Sequence, residues 1–270
     1  MRFAAIADVH GNRPALEAVL ADIARAGIDE VVNLGDHVSG PLEAARTADL
    51  LMARGFPSIR GDQDRILVEL WQAGGSARSD FRELARKHFD WMANMPSTLT
   101  YQGRVFLCHG SPRDDAAFWL DHIAEDGCPR PSGIDAIEAE AEGIDAEIIL
   151  CAHTHIPRVV RLRDGRLVVN PGSVGLPGYE GKAPVPYVVE VGTPHACYAI
   201  LEHQSMPAQA GPRRSATCPM TPRPWLRGRE PRACSAGQAQ LRPVGRSKSP
   251  GYGHLKLPHL MIAVSAAEQQ

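Results

Sequence analysis

Five short apolar segments of this chain each end in Asp, in His or in both, and this repeated feature constrains the fold more than any other. The five endings are Asp8-Val9-His10, Gly35-Asp36-His37, Gly61-Asp62, His109-Gly110 and His153-Thr154-His155. Short apolar runs bounded by turn residues are typical of buried strands. Several such strands, alternating with helices, predict an α/β fold with buried sheets.

The segments between and after these runs supply the helices and the remaining strands. Pro14–Ala26 and Phe81–Met95 have the apolar spacing of amphipathic helices, and Leu42–Arg54 shows a weaker form of it. The predicted strands are Arg2–Ala7, Glu30–Leu34, Phe56–Arg60, Val105–Cys108, Ile148–Cys151, a hairpin of Arg158–Arg163 with Arg166–Val169, Tyr187–Val191 and Ala196–Leu201.

Polar residues at the ends of several strands are expected to converge, because sites in open α/β sheets lie beyond the carboxyl ends of the strands. A single Asp or His after a strand is commonly a loop residue, so the prediction depends on the five endings together. Three carboxylates and four imidazoles suit Mn²⁺, Zn²⁺ or Fe. Seven ligands are too many for one ion, whereas two ions roughly 3.5–4 Å apart would use them all.

Charge divides the chain near Gln204. Residues 1–204 carry 19 basic and 29 acidic side chains, a net charge of −10, whereas residues 205–270 carry 10 basic and 2 acidic ones, a net charge of +8. The second part also holds 9 of the 22 prolines. Such a composition buries too little apolar surface to offset chain entropy. We therefore predict a folded domain over residues 1–204 and an irregular tail over 205–270, either a disordered basic arm or the product of a shifted reading frame.

No apolar run approaches the roughly 20 residues of a membrane helix, and the N-terminus reaches Asp8 and His10 too early for a secretory signal. The six cysteines include no C-x-x-C pair and no disulfide framework. These features predict a cytoplasmic protein that has no membrane partner. The sequence leaves the oligomeric state open.

The order of these motifs resembles that of the calcineurin-like metallophosphoesterases, and within them the small bacterial phosphodiesterases. The resemblance covers roughly residues 1–202. It is carried by Asp8-x-His10-Gly11-Asn12, Gly35-Asp36, Arg60-Gly61-Asp62-Gln63-Asp64-Arg65, Cys108-His109-Gly110-Ser111, Cys151-Ala152-His153-Thr154-His155 and Asn170-Pro171-Gly172-Ser173-Val174-Gly175.

This resemblance implies a four-layer α/β/β/α sandwich with a dinuclear metal centre between its loops. It assigns Asp8, His10, Asp36 and His155 to one ion. It assigns Asp36, Asp62, His109 and His153 to the other, with Asp36 bridging the two. The residues implied to lie closest to the reaction are Asp36, Asn12, Gln63 and His109. Mn²⁺ is the first expectation for the metal, with Fe, Zn²⁺ or Ni²⁺ as alternatives.

One block departs from the family pattern of Gly-Asn-His followed by Asp or Glu. Asp62 stands in place of the Asn and adds a negative charge to the ligand set. Gln63 stands in place of the His, and a Gln amide cannot deliver a proton. A general acid contributes on the order of 10²–10⁴ in rate, so esters with poor leaving groups are expected to react slowest. His37 and Asp64 are alternative proton donors or simply loop residues.

Substrate contacts are predicted less directly. Arg65 and Arg113 are the phosphate-binding candidates, because a guanidinium pairs well with phosphate oxygens. Ser111 is expected to be a loop residue or to donate a hydrogen bond to the substrate, and Asn170 either orients a ligand or belongs to a turn. Residues 113–143 form an insert, expected to be a short helical cap beside the metal centre or a surface helix pair.

The function implied by the resemblance is hydrolysis of a phosphodiester, phosphomonoester or phosphoanhydride by a hydroxide that bridges the two ions. The expected substrate is a small phosphate ester or a nucleotide-like molecule. Two alternatives stay open: a non-catalytic metal-binding module of the same fold, and a nuclease. The net charge of −10 over residues 1–204 argues against a nucleic-acid partner.

Overall fold

Two five-stranded sheets form the centre of the fold in a computed structural model that describes residues 1–74, 83–203, 253–257 and 260–267. The strands are β1 (Arg2–Ile6), β2 (Val31–Asn33), β3 (Leu99–Tyr101), β4 (Val105–Leu107), β5 (Asp121–Ile123), β6 (Pro129–Pro131), β7 (Ile148–Leu150), β8 (Arg158–Arg161), β9 (Leu167–Asn170), β10 (Gly178–Gly181), β11 (Tyr187–Glu190), β12 (Ala196–His203), β13 (Gly253–Leu257) and β14 (Leu260–Ala267). The helices are α1 (Arg13–Arg25), α2 (Ala44–Arg54), α3 (Asp62–Gln72), α4 (Arg86–Ala93) and α5 (Ile134–Glu140).

The first sheet has the order β13-β14-β12-β1-β2, and the second has the order β3-β4-β7-β9-β8. Strands β1 and β2 run parallel in the first sheet, and β4, β7 and β9 run parallel in the second. Two short antiparallel ribbons, β5–β6 and β10–β11, complete the described strands. The mixed α/β class predicted from the sequence is confirmed.

Side chains from both sheets share one buried cluster, in which Phe3 and Leu34 of the first sheet region pack with Leu107 and Leu150 of the second. A second cluster joins β1 to the apolar face of α1, and a third joins α2, α3 and α4. A fourth joins the second sheet to Ile137 of α5. The four-layer order α/β/β/α that the family resemblance implies stays a prediction.

Helix α1 begins and ends where its sequence signals lie. The Asn12 side chain accepts a hydrogen bond from the Ala15 backbone N–H, which satisfies one of the free donors at the helix start. Pro14 occupies the first turn, where its missing N–H costs nothing. The helix stops just before Gly27, whose φ of 68° turns the chain out of the helix.

Two predicted elements are shorter than expected. The predicted strand Phe56–Arg60 is reduced to a single bridge between Asn33 and Ser58, since Pro57 has no N–H to contribute to a ladder. The helix predicted over Phe81–Met95 begins only at Arg86, because Ala85 is extended and its N–H donates to the His88 side chain. Residues 81–82 lie outside the described residues.

Helix α3 was not predicted, because the sequence places Gly61-Asp62 at the end of a predicted strand. Asp62 and Asp64 lie in its first turn, where negative charge is favourable, and the Asp64 carboxylate accepts from the Gly61 N–H. Only Leu67 and Val68 are buried apolar residues of this helix, so its periodic signal is weak. Asp62 is therefore held by a helix start rather than by a strand end.

The predicted irregular tail is wrong for the residues of β13 and β14. Strand β14 pairs antiparallel with β12 along its whole length, and β13 pairs with β14 at the edge of the sheet. The apolar run of Leu260–Ala267 is the signal that the overall composition of the tail concealed. Residues 204–252 lie outside the described residues, so the domain boundary near Gln204 stays a prediction.

The insert over residues 113–143 is not purely helical. It contains the β5–β6 ribbon and the short helix α5. Trp119 and Leu120 of the insert pack with Ile137 of α5 against the second sheet, and β6 contacts β11. Within the described ranges, no helix has the length and apolarity needed to cross a membrane.

Candidate metal centre

Seven side chains with metal-binding atoms come together at the carboxyl ends of the two sheets. Their ligand atoms form three overlapping groups, and within each group these atoms lie within 4.8 Å of one another. The groups are Asp8, His10 and His155; Asp62, His109 and His153; and Asp8, Asp36 and His109. All seven residues predicted as ligands therefore lie in one place.

The elements of both sheets position six of these side chains, and the start of α3 positions Asp62. Asp8 and His10 follow β1, and Asp36 follows the parallel neighbour β2. In the second sheet, His109 follows β4, and His153 and His155 follow β7. Backbone hydrogen bonds from Asp8 N–H to Gly35 O and from His10 N–H to Asp36 O bind the first two loops together.

The backbone is strained at most of these positions. The described residues other than glycine include six with positive φ, and five of these belong to the seven candidate ligands. They are Asp8, His10, Asp36, His153 and His155, with φ between 49° and 66°. This region costs free energy for residues with a Cβ, and such residues concentrate at functional sites.

Backbone carbonyl groups fix the orientation of three of the histidines. Nδ1 of His10 lies 2.7 Å from Ser39 O, Nδ1 of His109 lies 2.6 Å from Leu34 O, and Nδ1 of His155 lies 2.6 Å from Leu176 O. A carbonyl oxygen only accepts, so each Nδ1 is the protonated nitrogen and donates. In the neutral rings, each Nε2 therefore presents a lone pair to the centre, which is the arrangement of metal-binding histidines.

Among the residues that the structure describes, no lysine or arginine pairs with the carboxylates at the centre of the site. Nε2 of His10 and Nε2 of His155 lie 3.1 Å apart, so their two lone pairs face each other. Both carboxylate oxygens of Asp8 and the Nε2 atom of His109 are buried and have no hydrogen-bond partner in the described part of the chain. Buried lone pairs and charges require compensation. The residues therefore fit divalent metal ions.

Electrostatics in the site favour ionised carboxylates. Burial raises the pKa of Asp8, but the neighbouring His155 and His109 rings lower it more, so its pKa lies below the usual value. Burial also raises the pKa of Asp62, and the interactions with the neighbouring His109 and His153 rings more than offset this, leaving the pKa well below the usual range. Burial lowers the pKa of His109, yet Asp36, Asp62 and Asp8 raise it well above its ordinary value.

Two carboxylates lie between the two halves of the site. Oδ2 of Asp36 is 3.8 Å from Nε2 of His10 and 3.5 Å from Nε2 of His109. Oδ1 of Asp8 is 3.5 Å from Nε2 of His155 and 3.8 Å from Nε2 of His109. Asp8, which the resemblance assigns to one ion alone, thus has the same intermediate position as Asp36.

The two residues that depart from the family pattern contact each other. The Gln63 side-chain amide donates to Oδ2 of Asp62 at 2.7 Å, and the Gln63 backbone N–H donates to Oδ1 of Asp36 at 3.0 Å. Oδ1 of Asp62 lies 3.2 Å from Nε2 of His109 and 3.0 Å from Nδ1 of His153. Gln63 therefore holds the outer oxygen of Asp62 while the inner oxygen faces the histidines.

Asp64 and His37 form a buried pair behind the site. Nδ1 of His37 lies 2.6 Å from Asp64, whose carboxylate also accepts from the backbone N–H groups of Asp36, His37 and Gly61. Burial raises the pKa of Asp64, but these partners lower it below the usual value. An ionised Asp64 carries no proton, so the structure speaks against it as a substitute general acid and gives it a structural role.

Three of the remaining predicted residues have their side chains in local hydrogen bonds. Asn12 caps α1 and donates to Gly175 O at 3.0 Å, and Ser111 accepts from the N–H groups of Arg113 and Asp114. Asn170 donates to Ala152 O and Thr154 Oγ1, on either side of His153. These contacts position the loops that carry candidate ligands, and direct roles of these residues stay predictions.

Both predicted phosphate-binding arginines already have protein partners. Arg65 makes a two-pronged ion pair with Asp115 of the insert, at 2.8 and 3.0 Å, and also contacts Glu69. Arg113 donates to the Ala139, Glu140 and Glu142 carbonyl groups near the end of α5. Arg65 therefore ties the insert to α3, and Arg113 caps α5.

Aromatic residues that the sequence analysis did not single out border the histidines. The Tyr179 ring lies 4.6 Å from the His155 ring, and its hydroxyl is 3.4 Å from His153 O. The Phe118 ring meets the His153 ring edge-on at 5.4 Å. Phe118 lies in the predicted insert, but Tyr179 has no motif that would have drawn attention to it.

The family assignment rests on a match that covers more than half of the chain. Residues 1–193 match the model of the calcineurin-like phosphoesterase superfamily domain. The chain therefore belongs to the calcineurin-like phosphoesterase superfamily, which confirms the resemblance seen in its motifs. Membership indicates a hydrolase of phosphate esters and a site for divalent metal ions.

Individual relatives agree with this assignment. Phosphodiesterase YfcE of Escherichia coli K12 is 26% identical over 197 residues, covering 69% of this chain and 85% of that protein. A metallophosphoesterase from Sphaerobacter thermophilus is 25% identical with a TM-score of 0.56, covering 74% of this chain and 83% of that one. A hypothetical protein from Pyrococcus horikoshii OT3 shares the fold, with 20% identity, a TM-score of 0.53, and coverage of 74% and 82%.

Proposed function

We propose that this chain hydrolyses a phosphodiester, phosphomonoester or phosphoanhydride with two divalent metal ions held by the seven side chains of the candidate metal centre. The observation that carries the proposal is the pair of Nε2 atoms of His10 and His155, 3.1 Å apart, beside the unpartnered carboxylate of Asp8. Two bound divalent ions would activate a water molecule and neutralise charge on the phosphate oxygens. Mn²⁺ is the metal we expect first, with Fe, Zn²⁺ or Ni²⁺ as alternatives.

The protein prepares this site before metal or substrate arrives. The carbonyl groups of Ser39, Leu34 and Leu176 hold the rings of His10, His109 and His155 with Nε2 inward. The left-handed backbone at Asp8 and Asp36 directs both carboxylates to the same point. Such preorganisation lowers the cost of binding metal and orienting a phosphate group.

Gln63 limits which leaving groups can depart quickly during hydrolysis. Its amide donates to Asp62 and has no acidic proton to give to a leaving group. An aryl alcohol or a phosphate leaves without protonation, whereas an alkyl alcohol does not. We therefore expect aryl esters and phosphoanhydrides to be hydrolysed faster than alkyl esters.

The contact between the Gln63 amide and Asp62 also favours one alternative function, a metal-binding module without catalytic activity. The Gln63 amide is occupied by Asp62, and both predicted phosphate-binding arginines are paired. A nuclease is less well supported, because residues 1–204 have a net charge of −10. Turnover by the metal-loaded protein separates the first two functions.

The test measures release of p-nitrophenolate from bis(p-nitrophenyl) phosphate and from p-nitrophenyl phosphate, with Mn²⁺ and again after chelation. We expect turnover that depends on metal and is lost in Asp8→Asn. Asp29→Asn is the control, since Asp29 is an exposed residue before β2. Two bound metal ions per chain without turnover of either ester would support the binding module. Turnover that survives chelation would contradict both functions.

A further inference from the structure

The geometry points to a binding subsite for a planar aromatic group, formed by Phe118, Tyr179 and Tyr187 beside the candidate metal centre. This subsite, called here the aromatic wall, would hold the aryl group or nucleobase of a phosphate ester. The inference deepens the proposed function and rests on it for the position of the phosphate. Its first support is the location of the three rings.

The aromatic wall borders two candidate metal ligands. Tyr179 contacts the His155 ring at 4.6 Å, and Phe118 contacts the His153 ring at 5.4 Å. Tyr187 joins them, with its ring centre 5.7 Å from that of Phe118 and 6.1 Å from that of Tyr179. A phosphate at the metal centre would therefore place an attached ring within reach of these three side chains.

The three rings are not used by the hydrophobic core. None of them belongs to the four buried clusters of the described chain, and all three are partly exposed. Tyr187 meets both neighbours at interplanar angles above 80°, so neither pair is stacked face to face. Planar ligands bind to aromatic rings by stacking, with little dependence on their identity.

The Tyr187 ring packs across the ribbon that carries it. Tyr187 of β11 is paired across the ribbon with Gly181 of β10. A Cβ atom at Gly181 would overlap the Tyr187 ring, so the ring lies over the position where another residue would have a side chain. The Tyr187 ring therefore lies against the backbone of the neighbouring strand.

Two segments that are distant in sequence supply the aromatic wall. Phe118 comes from the insert, whereas Tyr179 and Tyr187 come from the β10–β11 ribbon. The contact between β6 of the insert and β11 joins these segments. The insert therefore contributes to the choice of substrate through the Phe118 ring rather than through Arg113, whose guanidinium is engaged at α5.

The test compares phenylphosphonate with methylphosphonate, which differ only in the ring and are not hydrolysed. Calorimetry on the full chain loaded with Mn²⁺ should give about tenfold tighter binding of phenylphosphonate, the size expected for one stacked ring. A second pair, AMP and ribose 5-phosphate, asks whether a nucleobase is preferred as well. Preference in both pairs indicates a nucleotide, and preference for the phenyl group alone indicates an aryl ester.

Variants distinguish binding at the aromatic wall from non-specific hydrophobic binding. Tyr187→Leu and Phe118→Leu should each remove most of the preference for phenylphosphonate. Tyr187→Phe keeps the aromatic ring and should therefore keep this preference. Val188→Ala is the matched control, because Val188 is the exposed neighbour on β11 and its side chain projects from the opposite face. The inference is overturned if wild type shows no preference, or if the preference persists in both Leu variants.

This test separates failure of the subsite from failure of the proposed function. Binding of the phosphonates does not require turnover. A preserved preference for phenylphosphonate without hydrolysis of any ester would support the aromatic wall and contradict the hydrolase. Hydrolysis of an ester without any preference for phenylphosphonate would support the hydrolase and contradict the aromatic wall.

Discussion

Gly61 packs so closely against Asp36 that a methyl group on its Cα would overlap Oδ1 of the carboxylate. Gly61 caps α3 with extended dihedral angles that any residue adopts, so only space restricts this position. The close approach brings the start of α3, with Asp62, to the loop that carries Asp36. The close approach of Asp62 and Asp36 in the candidate metal centre therefore requires a residue without a side chain at position 61.

Gly61→Ala should consequently weaken metal binding. The added methyl group must displace Asp36 or the start of α3, and overpacking of this kind costs about 1–3 kcal/mol of stability. We expect at least a tenfold loss of Mn²⁺ affinity, which corresponds to about 1.4 kcal/mol, measured by calorimetry. Gly133→Ala is the control: Gly133 caps α5 with similar dihedral angles, and a Cβ there meets nothing within 4 Å. Equal metal affinities in the two variants would contradict the prediction.

Asp64→Asn should destabilise the protein strongly. The carboxylate accepts from His37 and from three backbone N–H groups, and an amide can replace only part of this. Leaving buried donors without their acceptor costs about 1–3 kcal/mol for each group. Urea denaturation of the full chain measures the change, with the exposed Asp29→Asn expected to stay within about 0.5 kcal/mol of wild type. A loss below about 1 kcal/mol for Asp64→Asn would show that the pair is dispensable.

Gln63→His should change the leaving-group dependence of hydrolysis rather than every rate alike. An imidazole at this position supplies a proton that the amide lacks, and general acids contribute about 10²–10⁴ in rate. We expect kcat for an alkyl phosphodiester to rise at least tenfold, with little change for the p-nitrophenyl diester. Gln63→Asn is the control that keeps the amide, and it should not alter the ratio of the two rates. An equal rise for both esters in Gln63→His would rule out this explanation.

Removal of metal should lower thermal stability. A ligand that binds only the folded state adds about 4 kcal/mol at a concentration of 1,000 times its Kd. We therefore expect Tm to fall on chelation and to recover when Mn²⁺ is restored. His155→Asn should reduce the response to Mn²⁺, because its Nε2 atom faces His10 and Asp8. A Tm that does not depend on metal in the wild-type protein would count against a resident metal pair.

The sequence predicted the strands that carry ligands better than the elements between them. The short apolar runs before Asp8, Asp36, His109 and His153 were sufficient to predict strands there, because a buried strand is recognised mainly by such a run. Helix α3 was missed, since its exposed surface and few buried apolar residues give a weak period. The strand expected at Phe56–Arg60 failed because a proline interrupts the hydrogen-bonding pattern of a ladder.

Side-chain partners could not be predicted from the sequence. A motif identifies Arg65 as a cation but does not show that Asp115, fifty residues away, pairs with it. The same holds for Tyr179, whose place beside His155 is set by the β10–β11 ribbon. Contacts between distant segments depend on the closure of the fold, and the periodicity of one segment contains no information about them.

The left-handed backbone at five candidate ligands limits how such a site can change during evolution. Asp, Asn, His and Gly tolerate this conformation, whereas β-branched residues do not, so few replacements are open at Asp8 or Asp36. Asp62 lies in the first turn of α3 and is not under this restriction. It is also the candidate ligand at which this chain departs from its family's pattern. Selection can thus adjust the charge of the metal centre at Asp62 without rebuilding the loops.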